Sequence, residues 1–539
     1  MQDSSFVWNH LGKQHRAVDK WADGIWLIIL FLAAVLLFCI NLGGTPLQDG
    51  DEGILAQVAR QISHFPIGSI HWLFPTKFSD FGYRNPPLIP WLIAGTYSLG
   101  GVSELTTRLP SAVLTATSVP LLYCIGKEIF RQRYAAIYSA LTYLTTLPVV
   151  LYGRLATLDG AVVSFFLVMV LCTLRSRRNY YYCLGIGITF GLICLTHGWM
   201  GISCGAIVLL FIFWDTPRLL NSYYFWTGIF IGCLPVVLWY IGSSLHNGYS
   251  FQDIFTINQS SEQINTIHSQ LGIPWYYYML EVIKLNWPWF IFVPQVLRLI
   301  WQNYNLSWAK LIMVWGGVYL VLISLININL PWSLLPIYPC LALALGYQLA
   351  ETQNTPLYSL YPRAWVTSLA IIAVIASVFS SYFSWGNIAK ADLQITFIVV
   401  TLTMTISAIL AERGDAQFLK ILVWGSYISL LLLVKSHYWV WELDVAYPVK
   451  PVAMMVGQVN LPIEQIYTSF PYLRSSLDFY SSHSIIPASP QELQYYWQYK
   501  KQPYFLLNTT ALNSLQLRYV KVINQAEGWL LVTKDQDRV

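Results

Sequence analysis

Three short stretches of this chain set charged side chains beside apolar runs, in patterns suited to acid–base and phosphate chemistry. The first holds Asp49, Asp51 and Glu52, just after an apolar run that ends at Leu42. Carboxylates at a membrane face are costly unless hydrated or used. Two readings stand: a general base for a hydroxyl, or a solvated loop whose acids favour the N-terminus of the helix that follows. The second stretch is Tyr152 to Asp159, where Arg154 and Asp159 lie between two apolar runs. They read as an interfacial ion pair or a snorkelling arginine, or as a second acid sharing base and charge-stabilising work with the first. The third is Tyr83-Arg84-Asn85-Pro86-Pro87, where Arg84 is suited either to bidentate contact with a phosphate or to anionic lipid headgroups. Arg108 carries the same two options. His197, in Leu195-Thr196-His197-Gly198, reads most simply as a satisfied interfacial histidine. Glu262 and His268 could hold a metal but lack a matched ligand spacing. No metal site is expected and no cofactor is indicated, a divalent cation staying open.

What must position these groups is a membrane bundle. Of the 539 residues, 56% are hydrophobic and 11% charged, whereas soluble proteins carry about a quarter charged residues. Apolar stretches long enough to cross about 30 Å of hydrocarbon recur from Ile25 to Tyr438. The net charge of +5 is small, and its short basic clusters speak of topology rather than a nucleic-acid partner. The eight cysteines lie in or beside apolar segments and offer neither a disulfide framework nor zinc spacing.

Ile25 to Leu42 follows Lys13, Arg16 and Lys20 and is succeeded by further runs, so it reads as a retained signal anchor with a cytoplasmic N-terminus. Three basic clusters are placed inside: Lys127, Arg131 and Arg133; Arg175, Arg177 and Arg178; Arg413 and Lys420. That constraint gives about 13 spans, near 25–42, 109–126, 134–151, 160–174, 180–196, 199–214, 223–242, 287–301, 311–326, 332–349, 364–381, 393–410 and 421–438. Leu88 to Gly101, opened by Pro86, Pro87 and Pro90, is read as re-entrant or interfacial.

The expectation is therefore an α-helical polytopic protein of the inner (plasma) membrane, with a membrane domain over 1–438. Outside lie a large first loop, 43–85, and a loop over 243–286 whose Trp275 to Tyr278 suit the headgroup level. Ile54, Leu55, Val58 and Ile62 recur at helical spacing, which predicts an amphipathic helix on the membrane surface. After Tyr438 the runs Gln465–Ser469, Tyr504–Asn508, Tyr519–Ile523 and Trp529–Val532 alternate with a helical stretch, Gln491 to Tyr499. They predict a small extracytoplasmic α/β domain over 439–539.

The order of the landmarks adds a resemblance. Asp51-Glu52-Gly53-Ile54-Leu55-Ala56, Arg84-Asn85-Pro86-Pro87-Leu88-Ile89-Pro90-Trp91, Arg108-Leu109-Pro110-Ser111, Arg154-Leu155-Ala156-Thr157-Leu158-Asp159 and the run Leu330 to Pro339 resemble those of the bacterial aminoarabinose transferases and dolichyl-phosphate-mannose protein mannosyltransferases. The resemblance covers about Leu30 to Ala350. It implies a GT-C fold, a polyprenyl-phosphate sugar donor, a lipid, glycan or protein acceptor, and inverting hexosyl or pentosyl transfer on the extracytoplasmic side. By the same resemblance Asp51 is the first-loop catalytic aspartate with Glu52 beside it, and Asp159 is the second acid. The departing phosphate needs positive charge, for which Arg84, Arg154, Arg108 and His197 are the candidates. Asn85, Glu262 and His268 fall to the substrate side or a covering loop.

Two positions depart from the pattern: Asn85 and His197 stand where relatives commonly carry lysine, with Arg84 and a protonated His197 as replacements. A flippase or transporter, and a binder of lipid-linked saccharide without turnover, are the other classes open to this sequence. A transporter would place charges deep within spans, whereas these cluster near span ends.

Overall fold

The computed structural model describes residues 3–66, 68–75, 85–130, 132–247, 276–326, 331–354, 361–385, 390–439, 449–458, 465–470, 474–481, 483–500 and 502–535. The chain divides into two compact units: Met1–Asn41, Ser111–Leu238 and Pro274–Trp439 form the first, and Leu42–Pro110, Trp239–Ile273 and Val440–Val539 the second.

Helices dominate the first unit. Among the described residues of the whole chain, ten helices of 18 to 26 residues are long and apolar enough to cross a membrane, each covering roughly the hydrocarbon thickness at about 1.5 Å per residue. The helix Arg363–Tyr382 shows why lipid must surround them. It exposes Ile371, Val374, Ile375 and Val378, a stripe at helical spacing that water would penalise.

Three of the expected spans take another form. The stretch 134–151 is two helices, Arg133–Leu144 and Leu147–Tyr152, with Pro148 in the first turn of the second; a proline fits a first turn but not an interior. Pro288 and Pro294 act likewise in 287–301, which is a 3-10 turn, Trp289–Phe292, followed by the ten-residue helix Val293–Gln302. The stretch 180–196 is the 13-residue helix Tyr182–Cys194. That helix meets Tyr223–Asn247 backbone to backbone, because a Cβ on Gly187 would lie 1.9 Å from the Gly228 carbonyl carbon and one on Gly191 2.1 Å from the Gly232 oxygen. The spacing on both helices is the small-xxx-small pattern of close membrane packing.

Charge sorts the first unit into two ends. Asp23 accepts from Tyr123 at 2.7 Å and pairs with Lys127 at 3.2 Å and Arg133 at 2.9 Å. Glu128 pairs with Arg175 and Arg178, and Asp215 with Arg177 and Lys310. Two of the basic clusters thus gather at one end. Arg154 binds carbonyls at Leu37 and Phe38, about 21 Å along the first helix from Asp23. Asp159 begins the helix that Arg175 nearly ends, again about 24 Å away.

In the second unit, the helix Asp51–His64 buries Leu55, Ala56, Val58, Ala59 and Ile62. Val58 and Ile62 pack on Ala94 of the helix Leu88–Gly100, with Trp72 and Trp91 alongside, and the helix Ser475–Ser481 lies against the same helix. The expected membrane-surface helix therefore has protein, not lipid, on much of its apolar face. Leu88–Gly100 has 13 residues, about 20 Å and short of a bilayer crossing.

The C-terminal part of this unit holds a five-stranded sheet of β1 (Ile466–Thr468), β2 (Ile485–Pro487), β3 (Tyr504–Asn508), β4 (Val520–Ala526) and β5 (Trp529–Lys534), in the order β2-β1-β3-β5-β4. β1 pairs in parallel with β2 and β3, while β3–β5 and β4–β5 are antiparallel. Alternation gives each face a core. Ile466, Tyr504, Leu506 and Leu531 point to one side with Val452, Val456 and Leu477; Tyr467, Phe505, Leu507 and Val532 point to the other with Leu493 and Trp497. The β4–β5 turn needs positive φ at Glu527 and Gly528, 49° and 79°, the pattern of a tight hairpin.

Candidate active site

In the second unit the acidic stretch folds into a turn at the start of a helix. Gly50, at φ 88°, is the N-cap and supplies no side chain, so the helix opens on Asp51 and Glu52. Negative side chains in a first turn offset the exposed N–H groups there. Glu52 reaches back to accept the Gln48 N–H at 2.9 Å. The same carboxylate takes a bidentate contact from Arg108, Nε to Oε1 at 2.7 Å and Nη2 to Oε2 at 2.8 Å. Arg108 also donates to the carbonyls of Leu42, Thr45 and Pro46 at 2.7, 2.8 and 2.8 Å. Arg108 is 0% exposed and Glu52 2%.

Asp49 is held differently. Arg474 Nε donates to it at 2.7 Å, the Ser476 N–H at 3.2 Å, and the Ser476 hydroxyl donates as well. Ser475 Oγ donates to the Gly50 carbonyl at 3.2 Å. Nearby, Glu104 pairs with Lys450 at 2.5 Å and accepts from the Tyr480 hydroxyl at 2.9 Å, which in turn accepts the Leu47 N–H at 2.8 Å. Asp478 is buried and accepts the Ile485 N–H at 3.1 Å. Asn85 is half-buried, just before the buried Pro86 and Pro87.

In the first unit, Arg154 is fully buried. Its Nη1 donates to the carbonyls of Leu37 and Phe38 at 2.6 and 3.2 Å, and Nη2 to that of Ile40. The guanidinium lies 4.6 Å from the Trp439 ring centroid. It therefore caps the C-terminal end of the first helix, where carbonyls lack partners and the dipole favours a cation. Asp159 is 5% exposed in the first turn of Asp159–Ser176. The 3-10 turn Pro331–Ile337 packs against that helix, with Tyr152 and Trp332 ring to ring at 6.3 Å and Tyr319 donating to the Ser333 carbonyl. His197 is the N-cap of Gly198–Asp215, and its buried Nδ1 has no hydrogen-bond partner among the described residues. Burial pushes the imidazole down to about 4, so at neutral pH it is an uncharged donor rather than the protonated lysine substitute expected from sequence.

Asp51, Glu52, Asn85 and Arg108 thus belong to the second unit, and Arg154, Asp159 and His197 to the first. Arg84, Glu262 and His268 lie outside the described residues. Glu52 and Arg108, read from sequence as an acid and a phosphate ligand, are partners of each other. The site residues that sequence reasoning missed are Arg474, Ser476, Asp478 and Tyr480. Their signal was a charge pair, Arg474 and Asp478, set four apart around Ser475 and Ser476 in a run, Phe470 to Tyr480, that is otherwise apolar and aromatic.

A helical membrane unit and a small sheet domain are the parts of the GT-C fold, which solved structures share with this chain. The crystal structure of ArnT from Cupriavidus metallidurans bound to undecaprenyl phosphate matches 95% of this chain and 98% of that chain, with a TM-score of 0.73 at 18% identity. The apo form of the same protein gives 0.74 at 17% identity. The family model described as dolichyl-phosphate-mannose-protein mannosyltransferase matches residues 84–240. An uncharacterized protein of Aquifex aeolicus is 21% identical over 64% of this chain and 69% of its own length. The undecaprenyl phosphate-alpha-4-amino-4-deoxy-L-arabinose arabinosyl transferase of Pseudomonas savastanoi pv. phaseolicola is 24% identical over 62% of this chain. The match spans 63% of that enzyme's length, less than two thirds. The chain thus shares the fold of these solved structures and is similar in sequence to the aminoarabinose transferases and, over residues 84–240, to the protein mannosyltransferase family model.

Proposed function

We propose that this chain transfers a sugar from a polyprenyl-phosphate donor to an acceptor hydroxyl on the extracytoplasmic face of the membrane. The observation that carries the reading is the built acidic turn at the start of the helix. Asp49 and Glu52 are each held by an arginine and by further N–H or hydroxyl donors, and Asp51 stands between them in the first turn, partly exposed.

In this reading Asp51 takes the acceptor's proton as the acceptor oxygen bonds to the anomeric carbon. The bond from that carbon to the phosphate oxygen breaks, and the lipid phosphate leaves with the electron pair. Attack opposite the leaving group inverts the centre. Asp159 is the second acid of the reading. Arg108 and Arg154 become positioning groups, since both are spent on carbonyls or on Glu52. Stabilisation of the leaving phosphate falls to Arg84 and to the neutral His197 donor at the start of its helix, an end of the peptide dipole that favours anions. The matching orientation has a cytoplasmic N-terminus, with the first loop and residues 439–539 outside.

The test uses the full chain in lipid nanodiscs with undecaprenyl phosphate aminoarabinose and undecaprenyl phosphate mannose as donors and envelope extract as acceptor, which also separates pentosyl from hexosyl transfer. Loss of a general base costs about 10²- to 10⁴-fold. A well-folded Asp51→Asn protein that transfers sugar at the wild-type rate removes the mechanism.

A further inference from the structure

The turn that carries Asp51 is tied on one side through Glu52, which takes the Gln48 N–H and Arg108, but its start has no side-chain cap of its own. Its N-cap is a glycine at φ 88°, and glycine is the most permissive backbone residue. A second restraint, on Asp49 and Gly50, comes from more than 400 residues further along the chain. Arg474, Ser475 and Ser476 reach Asp49 and the Gly50 carbonyl through four hydrogen bonds. Arg474 is 2% exposed, Asp49 13%, and the Phe470 ring centroid lies 4.6 Å from the guanidinium. Gly53, in the first turn of the helix, leaves no room to slip: a Cβ there would come within 2.5 Å of Ser475 Oγ and 2.8 Å of the Ser476 nitrogen.

From this clamp we infer that Arg474 and Ser476 are positioning residues for the transfer reaction, holding Asp49 so that Asp51 leaves the helix start in one direction. The inference rests on the reading of Asp51 as the base. Its chemical logic is that of a carboxylate two residues from the reacting acid, tied at both oxygens, so that neither the turn nor the carboxylate can rotate. Misplacement of a reacting group by about 1 Å costs on the order of 10²-fold in rate. A clamp of this kind should therefore act on turnover rather than on donor binding.

The experiment measures turnover on undecaprenyl phosphate mannose and undecaprenyl phosphate aminoarabinose by the full chain in nanodiscs. Amide hydrogen exchange over residues 47–56 is followed in parallel. Arg474→Gln and Asp49→Asn should each lower kcat about 10- to 100-fold with the donor KM within about twofold, and exchange over the turn should quicken about tenfold. The double variant should fall no further than the singles, because both remove one interaction. Arg474→Lys should recover part of the loss. Full kcat in Arg474→Gln beside an inactive Asp51→Asn overturns the clamp and leaves the base reading standing. So does a parallel rise in donor KM that accounts for the whole loss. A fully active Asp51→Asn overturns the base reading and this inference with it, while faster exchange in Arg474→Gln would still mark the contact as structural. Where Arg474→Gln fails to fold, Ser476→Ala, which removes only the hydroxyl contact, takes its place. Unchanged kcat and unchanged exchange in it overturn the proposal.

Discussion

Replacing Glu52 with Gln should lower the stability of the fold before it touches the chemistry. Arg108 has five N–H donors, and all five are engaged: two on the Glu52 carboxylate, three on the carbonyls of Leu42, Thr45 and Pro46. Neither residue reaches solvent, so the desolvation of both charges is offset only by their mutual contact and these carbonyls. Gln keeps the shape and an oxygen but loses the charge, which strands a buried guanidinium. Breaking such a pair costs about 3–5 kcal/mol, a large share of the roughly 5–15 kcal/mol that a folded protein holds in reserve. Removing both charges, in Glu52→Gln with Arg108→Met, should cost less than the sum of the single losses, by about 0.5–3 kcal/mol of coupling. It will not return to wild type, because the carbonyls of Leu42, Thr45 and Pro46 then lose their donor. Denaturant titration of the reconstituted protein gives the midpoints, and turnover normalised to the folded fraction gives the chemistry. An unchanged midpoint with abolished turnover in Glu52→Gln would refute the reasoning and return Glu52 to the reacting groups.

Two further outcomes follow from buried charge. In the C-terminal part, burial pushes the Asp478 carboxyl well above its ordinary value, and the charge of Asp49 adds to this against the pull of the Ile485 N–H. The folded group keeps a proton that the unfolded chain releases near pH 4, so its contribution is full below that pH and is lost as pH rises toward the folded value, at about 1.4 kcal/mol per pH unit. Asp478→Asn should flatten this slope between pH 5 and 7 in denaturant titrations, and parallel wild-type and variant lines would count against the assignment. Arg154→Ala should destabilise by about 3 kcal/mol. Arg154→Lys should recover little of it, since one ammonium cannot reproduce a planar fork on three carbonyls; thermal unfolding of the purified protein checks both, and full recovery by lysine would contradict the capping role.

How much of this was legible depended on the range over which a signal acts. Hydropathy reads runs, and the runs from Ile25 to Tyr438 marked a membrane protein at once. It does not read breaks inside a run, so Pro148, Pro288 and Pro294 turned two expected spans into pairs of shorter elements. Periodicity identified a helical stretch from Glu52 to Ile62, inside the observed Asp51–His64, and its apolar stripe, yet a stripe says only that something covers it. Here the cover includes Leu88–Gly100 and Ser475–Ser481, where lipid was expected. Four of the five strands were read in the C-terminal part, including the three-residue β1, whereas β2, as short and ending in Pro487, was not, since a proline demotes a strand pattern.

Charge was the least legible, because its partners are distant in sequence. Arg108 and Glu52 lie 56 residues apart, Arg154 and Leu37 117, Arg474 and Asp49 425; helical spacing rules see only three or four. A buried guanidinium must satisfy its donors where it sits, whereas a phosphate ligand must keep donors open to a substrate that comes and goes. Arg108 meets the first demand completely and so cannot meet the second without breaking contacts to the acidic turn. Arg108 and Arg154, named beside Arg84 as candidate phosphate ligands, are spent in the structure on shaping the surroundings of Asp51 in one unit and on closing the first helix beside Trp439 in the other. In the proposed reaction, stabilisation of the departing phosphate then falls to Arg84 and to oriented neutral donors such as His197. Oriented neutral donors can carry part of that load because fixed dipoles in a low-dielectric site need no reorganisation when the phosphate departs.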